Sequence, residues 1–230
     1  MYPIHKAICY NANVNVIRYL LQIYPDCVKQ VANRCNNNNN QNNDGVGVGG
    51  MLPLHDALHN AKYDNTLESK QNTDTIISIL LDVYPEAATI PLPGSSGNEL
   101  PLYKACYKQM SLHVIQKIVE AYPEAIYITN NQGSLPITAL CASSPDVCLD
   151  TIKYIVELYP DALSVADQYG GMPLHYLCFK GCTDVNVVSF VVQQHPKALY
   201  AKTLVLGQRT PYELAKQFNH MHLLKILKKR

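Results

Sequence analysis

Histidine and cysteine lie close together in one short stretch of the sequence, and both side chains are ligands that zinc prefers. His175, Cys178 and Cys182 form this group, and His5 with Cys9 is a weaker pair of the same residue types. A structural zinc site needs four convergent ligands, typically in closely spaced pairs. A thiol- or zinc-dependent sensor that uses the helix cysteines and histidines is therefore one alternative function, whereas packing accounts for the same residues without a metal.

A glycine pattern, Gly45-x-Gly47-x-x-Gly50, matches the dinucleotide-binding fingerprint by its letters. That chemistry requires a strand before the glycines and a helix after them, so that backbone N–H groups hold the pyrophosphate. Here the residues from Asn36 to Asn43, all asparagine apart from Gln41, precede the glycines. We interpret the segment 34–50 as a disordered Asn/Gly-rich insertion, and we predict no cofactor.

The cysteines show no spacing typical of a disulfide framework. Cys106, Cys141 and Cys178 each follow a proline by five residues, which indicates one small buried position repeated along the chain. Equivalent positions on neighbouring helices lie about 8–10 Å apart, but a disulfide requires Cα atoms about 4.4–6.8 Å apart. We expect reduced thiols and an intracellular protein, either cytoplasmic or nuclear.

The composition excludes several classes of partner. The net charge of +1 offers no global electrostatic attraction to nucleic acid or to an anionic membrane, and no apolar run reaches the length of a membrane span. The chain opens as part of a repeat, so we expect no export signal. A basic C-terminus, Lys225 to Arg230, is compatible with nucleic-acid binding or nuclear import, and also with the favourable placement of cations at a helix C-terminus.

Two proline signatures recur through the whole chain. The first is a Pro-Leu-His type of tripeptide, at Pro3, Pro53, Pro101, Pro136, Pro173 and Pro211. The second is Tyr-Pro-acid-Ala or a close variant, with its proline at Pro25, Pro85, Pro123, Pro160 and Pro196. Because both signatures recur in the same order, the sequence predicts an array of about six repeats over residues 1–230, the last one partial.

The residues before each second proline predict an amphipathic helix, because apolar side chains recur at i, i+3, i+4 and i+7. The sets are Ile17–Leu20–Leu21–Tyr24, Ile77–Leu80–Leu81–Tyr84, Ile115–Ile118–Val119–Tyr122, Ile152–Ile155–Val156–Tyr159 and Val188–Val191–Val192–His195. Four residues before each set stand Asn13, Thr73, Ser111, Cys148 and Asp184, and all of these except Cys148 are good N-cap side chains. We expect each set to form one buried stripe, and we expect the proline after it to end the helix.

The first proline predicts a second, shorter helix, since proline suits a first helical turn. Between repeats, Ala125–Thr129 and Ala162–Ala166 alternate briefly, and Asn130-x-x-Gly133 and Asp167-x-x-Gly170 supply turn residues. A second insertion, residues 60–72, lengthens the loop between the helices of the second repeat. The predicted fold class is all-α, a repeat solenoid of helix-turn-helix units with short hairpin-like connections.

The stretch Asp167-x-x-Gly170-x-x-Pro173–Leu174–His175 resembles the turn and the Thr-Pro-Leu-His helix start of the ankyrin repeat family. The resemblance covers nearly the whole chain. The sequence departs from the family pattern where Leu or Met stands in place of Thr, which only Thr210 keeps, and in its Tyr-Pro helix ending.

The resemblance implies a non-catalytic scaffold that binds a protein partner through the concave face and the turn tips of a solenoid. We predict no small-molecule substrate, no nucleic acid and no membrane as partner. The candidate contact residues are Lys104, Tyr107, Tyr127, Asn131, Gln132, Gln168, Tyr169 and Tyr176. Aromatic residues there would serve as anchors, although Tyr107 and Tyr176 are equally compatible with packing between repeats.

Overall fold

The computed structural model describes residues 2–31, 50–61, 67–93, 99–205 and 207–228. Over these residues the regular elements are twelve α-helices and five 3-10 helices, which confirms the all-α prediction. The α-helices are α1 (Pro3–Cys9), α2 (Val14–Ile23), α3 (Pro53–Asn60), α4 (Leu67–Val83), α5 (Pro101–Tyr107), α6 (Leu112–Ala121), α7 (Pro136–Ser143), α8 (Leu149–Leu158), α9 (Pro173–Lys180), α10 (Val185–Gln194), α11 (Pro211–Gln217) and α12 (Leu224–Leu227). The 3-10 helices are η1 (Pro25–Lys29), η2 (Pro85–Thr89), η3 (Pro123–Tyr127), η4 (Pro160–Leu163) and η5 (Pro196–Tyr200).

The first helix of every repeat begins at its proline, as the sequence predicts. Proline has no N–H to leave unpaired in the first turn, and its fixed φ suits a helix start. The residue before it is extended, as at Leu52 with φ −73° and ψ 159°, because the proline ring excludes the helical conformation there.

The second helix of each repeat ends just before the Tyr-Pro or His-Pro pair, as predicted. At Tyr24 the backbone turns to φ −133° and ψ 76° while its N–H still bonds to the Leu20 carbonyl. The proline then opens a 3-10 helix, so the stretches expected to alternate start as a 3-10 turn. The expectation that the tyrosines complete the buried stripe is wrong in part. Tyr84, Tyr122 and Tyr159 are half-buried and Tyr24 is 66% exposed, because leaving the helix turns the side chain away from the stripe.

The predicted helix starts hold at Asn13 and Asp184, whose side chains accept backbone N–H groups of Asn15 and Asn186. Thr73 is not an N-cap, because α4 begins six residues earlier at Leu67. Residues 67–72 of the expected loop insertion are therefore helical. Glu, Lys and Gln there favour helix, and Asn72 bonds to Val14 N–H and the Ala12 carbonyl of the first repeat. Residues 62–66, and the Asn/Gly-rich insertion except Gly50, lie outside the described residues.

The chain divides into two compact bodies: an N-terminal body of Met1–Pro101 with Gln116–Pro123, and a C-terminal body of Leu102–Ile115 with Glu124–Arg230. In the N-terminal body α1 packs on α3 and α2 on α4. Ile4, Ile17, Leu54, Leu58 and Ile77 are fully buried there. In this body the two first helices therefore lie on each other, and so do the two second helices.

The C-terminal body repeats the same packing with α7, α9 and α11 in one row and α8, α10 and α12 in the other. The turns that join one repeat to the next lie beside the first helices, and each turn is closed by a backbone hydrogen bond. Asn130 N–H bonds to the Ser134 carbonyl, and Asp167 N–H to the Gly171 carbonyl. This body positions all eight candidate contact residues.

Candidate functional site

The histidines of two Pro-Leu-His tripeptides, His55 and His175, each link two elements of a single repeat. Nδ1 of His175 accepts the Met172 N–H at 3.1 Å, so Nε2 carries the proton and donates it to the Ala201 carbonyl at 3.1 Å. His55 bonds in the same way to Leu52 N–H and the Ile90 carbonyl. Burial lowers the pKa of both imidazoles, that of His55 to about 4. Each ring thus ties the start of a first helix to the end of the 3-10 helix in the same repeat.

His5 occupies the same position in the first repeat but has a different partner. Its Nε2 donates to the Gln30 carbonyl at 2.9 Å, and its Nδ1 lies 2.6 Å from Oδ2 of Asp56. A second proton therefore lies between Nδ1 and Oδ2. His5 is 0% and Asp56 1% exposed, and the other carboxylate oxygen of Asp56 has no hydrogen-bond partner among the described residues. This buried pair joins the first two repeats, and no feature of the sequence indicated it.

The cysteines of the C-terminal body are buried thiols. Cys106, Cys141, Cys178 and Cys182 are 0% exposed. Burial raises the pKa of each thiol, that of Cys182 to about 11, so that the reactive thiolate is scarce at neutral pH. In the part of the chain that the structure describes, no group of three His, Cys, Asp or Glu side chains could hold a metal ion. Burial therefore does not favour a thiol sensor that uses these four cysteines.

The turns between repeats are built by a buried polar side chain at their first position. Oδ1 of Asn130 accepts the N–H groups of Gln132 and Ser134. Oδ1 of Asp167 likewise accepts those of Tyr169 and Gly171. Gly133 and Gly170 have φ of 73° and 74°, a conformation that glycine adopts without steric cost, and these turns confirm the turn residues that the sequence indicates. The carboxylate or amide thus fixes each turn from its inner side and leaves the outer residues exposed.

Successive turns are joined by backbone hydrogen bonds. Gln168 N–H donates to the Gln132 carbonyl at 2.8 Å, and Leu204 N–H donates to the Tyr169 carbonyl at 2.7 Å. Three turns from three repeats therefore form one hydrogen-bonded row. We call the exposed residues of this row, Asn131, Gln132, Gln168, Tyr169 and Leu204, the tip row. The backbone of the middle turn is held on both sides, so Gln168 and Tyr169 project from a fixed base.

The predicted contact residues fall into two groups. Asn131, Gln132 and Gln168 are exposed and Tyr169 is 39% exposed, so four of the eight lie in the tip row. Leu204, 69% exposed, is a member that sequence reasoning missed. The signal available for it was the repeat register, which places Thr203 at the turn position of Asn130 and Asp167.

The other four predicted residues lie outside the tip row. Tyr127 ends η3, is 54% exposed and contacts the Tyr159 ring, with centroids 4.7 Å apart. Tyr107 is 49% exposed on α5, with Nζ of Lys104 5.7 Å from its ring centroid. Tyr176, half-buried on α9, donates its hydroxyl hydrogen to the Asp167 carboxylate. Burial, then that hydrogen bond, raises the pKa of Tyr176, so this tyrosine supports the turn.

Neither a family model nor a curated protein matches the chain. Among the described residues, no helix combines the length and the apolar character that crossing a membrane requires.

Proposed function

We propose that this protein is a non-catalytic scaffold that binds a protein partner through the tip row and the adjoining first helices of its C-terminal body. In this proposal the helix pairs form an ankyrin-like solenoid, and the first helices line its concave face. The observation that carries the proposal is the hydrogen-bonded row of turns, which holds two glutamines, an asparagine and a tyrosine exposed in one place.

A fixed row of exposed side chains suits binding, because association then costs little additional ordering of the backbone. Amide side chains donate and accept hydrogen bonds, and a tyrosine adds apolar area together with a hydroxyl. Tyr169 is the expected anchor, and Asn131, Gln132 and Gln168 are the expected polar contacts. Tyr107 and Lys104 extend the surface along α5 with an aromatic and a cationic group.

The buried histidines and thiols support a non-catalytic function. His55 and His175 use both ring nitrogens in hydrogen bonds to the backbone, which leaves neither nitrogen for proton transfer. Burial keeps the thiols of Cys106, Cys141 and Cys178 protonated. In this proposal these five side chains stabilise the repeats.

A comparison of three forms of the protein tests the proposal. Tagged wild type, a Gln132→Ala/Gln168→Ala/Tyr169→Ala variant and a Tyr200→Ala variant are expressed in cells of the source organism, and the proteins that co-purify are quantified by mass spectrometry. Tyr200 is the matched control, because it is 55% exposed in the same body and lies outside the tip row.

We expect at least one protein to be retained by wild type and by Tyr200→Ala and to be reduced at least tenfold with the triple variant. Because the three side chains are exposed, replacing them should leave the unfolding temperature unchanged. A loss of binding by the folded triple variant then reports on the surface and not on folding. Equal retention by all three forms would contradict the proposed surface.

A further inference from the structure

Lysine and aromatic side chains share one face of the first helices in the C-terminal body, and α5, α7 and α9 contain no acidic residue. Residues three, six and seven positions after the first proline of a repeat lie on one side of its helix, because side chains at i, i+3 and i+4 are neighbours. These residues are Lys104, Tyr107 and Lys108 in the third repeat, Ala139, Ala142 and Ser143 in the fourth, and Tyr176, Phe179 and Lys180 in the fifth. We call the lysine and aromatic residues of this set the cationic face.

The other side of the same helices forms the core. Residues one, four and five positions after the proline are 0% exposed in the third and fifth repeats: Leu102, Ala105, Cys106, Leu174, Leu177 and Cys178. On the cationic face, by contrast, Tyr107 is 49% exposed and Lys180 is exposed, and the other four side chains are half-buried. The cationic face is therefore the side of these helices that stays open to solvent within the array.

Each end of the cationic face places a lysine beside an aromatic ring. Nζ of Lys104 lies 5.7 Å from the ring centroid of Tyr107, and Nζ of Lys180 lies 5.9 Å from that of Phe179. Burial, and then the nearby charge of Lys104, lower the pKa of Lys108. Like charges are thus gathered in a partly buried setting, and an anionic group bound beside them would stabilise their charged forms.

The helix between the two ends adds neither bulk nor charge. α7 packs on α9, and Nε2 of Gln109, just after α5, donates to Oγ of Ser143 at the end of α7 at 2.9 Å. Ala142 and Ser143 occupy the positions of Tyr107 and Lys108, and both are half-buried. A chain that crosses α7 can therefore contact the lysines on both sides of it.

The helix spacing sets the length of such a chain. Neighbouring helices lie about 8–10 Å apart, so α5 and α9 lie about 16–20 Å apart across α7. An extended chain advances about 3.3 Å per residue, so about five or six residues cover this distance.

We propose that the cationic face binds an extended acidic segment of the partner protein, in which two groups of carboxylates flank an aliphatic side chain. The carboxylates contact the lysines of α5 and α9, and the aliphatic side chain packs over α7 between the rings of Tyr107 and Phe179. Charge complementarity identifies this occupant, because the helices that carry the face hold lysines and no acidic residue. The inference rests on the proposed function, since it names the chemistry of the partner that the scaffold binds.

A peptide fits these observations better than a nucleic acid does. A protein that holds nucleic acid by its phosphates commonly makes about 6–10 such contacts. The cationic face offers three lysines, and the whole chain has a net charge of +1.

Fluorescence anisotropy of a labelled peptide tests the inference on the full chain. The probe is Glu-Glu-Ser-Leu-Val-Ser-Glu-Glu, and the control probes are the same peptide with glutamine in place of glutamate and a short uridine RNA. Three forms of the protein are compared: wild type, Lys108→Gln/Lys180→Gln and Lys153→Gln/Lys197→Gln. Lys153 on α8 and Lys197 on η5 are exposed outside the cationic face in the same body, so the second variant is a control with the same net charge.

We expect the glutamate probe to bind wild type and the Lys153→Gln/Lys197→Gln form equally well. It should bind the Lys108→Gln/Lys180→Gln form about fivefold or more weakly, because each lost ion pair weakens the contact. The glutamine probe should bind wild type about fivefold or more weakly for the same reason. No saturable binding of the glutamate probe, equal binding to the two lysine variants, equal binding of the glutamine probe, or tighter binding of the RNA would overturn the inference.

The co-purification experiment described above separates this inference from the proposed function. A protein that is lost with Gln132→Ala/Gln168→Ala/Tyr169→Ala and also with Lys108→Gln/Lys180→Gln would support both. A protein that is lost with the first variant and fully retained by the second would overturn the acidic segment and leave the scaffold standing. Equal retention by every form would contradict the proposed function itself.

Discussion

Replacement of Gly170 by alanine tests the row of turns most sharply, because the sequence offers a matched control one repeat earlier. Gly170 and Gly133 have φ of 74° and 73°, and a side chain in this conformation costs about 1–2 kcal/mol. The two sites differ in the space around them. A Cβ on Gly133 would lie no closer than 3.5 Å to its neighbours, whereas one on Gly170 would lie 2.6 Å from the Leu204 nitrogen and 2.9 Å from its Cγ.

The added methyl group must therefore displace the Leu204 backbone and lengthen its hydrogen bond to the Tyr169 carbonyl. Loss of that bond costs about 1 kcal/mol, and overpacking a site without free space costs about 1–3 kcal/mol. Gly170→Ala should lower the free energy of unfolding by about 2 kcal/mol more than Gly133→Ala does.

Urea unfolding of both variants measures this difference, and hydrogen exchange locates it. We expect the Leu204 amide to exchange at least tenfold faster in Gly170→Ala and at the wild-type rate in Gly133→Ala. Equal losses of stability in the two variants, or an unchanged Leu204 amide, would refute the reasoning that successive turns form one rigid row.

Three further predictions concern the buried groups. Burial lowers the pKa of His55 from 6.5 to about 4 in the folded protein, so the unfolded chain binds a proton first as the pH falls. The free energy of unfolding should therefore fall by about 3 kcal/mol between pH 6.5 and 4. In urea unfolding His55→Gln should show a smaller fall over this range, and an equal fall would contradict the neutral imidazole. Asp56→Asn should lower the free energy of unfolding by about 3–5 kcal/mol, because it breaks the buried pair with His5. The double variant His5→Leu/Asp56→Leu should lose less than the sum of the two single leucine variants in the same urea assay. Strictly additive losses would argue against the pair. Iodoacetamide at pH 8 should label the exposed Cys148 and should leave three buried thiols unlabelled until the protein unfolds. Mass spectrometry measures the labelling, and labelling of the buried thiols in the folded protein would contradict the packing. That set is Cys106, Cys141 and Cys178.

The helix boundaries followed from local rules. Proline restricts its own φ and the conformation of the residue before it, so the prolines at both signatures mark a helix start or end without reference to the rest of the chain. The first turns of α4, which begins at Leu67, are also held by a distant contact. Asn72 bonds to residues of the first repeat, 58 and 60 positions away, and no local pattern reports such a partner.

In the candidate site, too, some features were predictable from local sequence and others depend on distant contacts. Exposure of Asn131, Gln132 and Gln168 was predictable, because the turn residues Asn130 and Asp167 precede them. The hydrogen bond from Leu204 to Tyr169 was not predictable. It joins backbone groups of different repeats, and every residue type except proline carries the same backbone groups. The His5–Asp56 pair was not predictable for a related reason. The matching histidines His55 and His175 bond within their own repeats, so the shared position gives no sign of a partner in another repeat.

A photo-crosslinking amino acid at position 168 gives the most direct test that the tip row binds a protein. The same group at Gln194, an exposed residue at the end of α10, is the control in the same body. After irradiation in cells, position 168 is predicted to give a discrete protein adduct that position 194 does not give. Absence of a protein adduct at position 168, or a nucleic-acid adduct there, would contradict the proposed function.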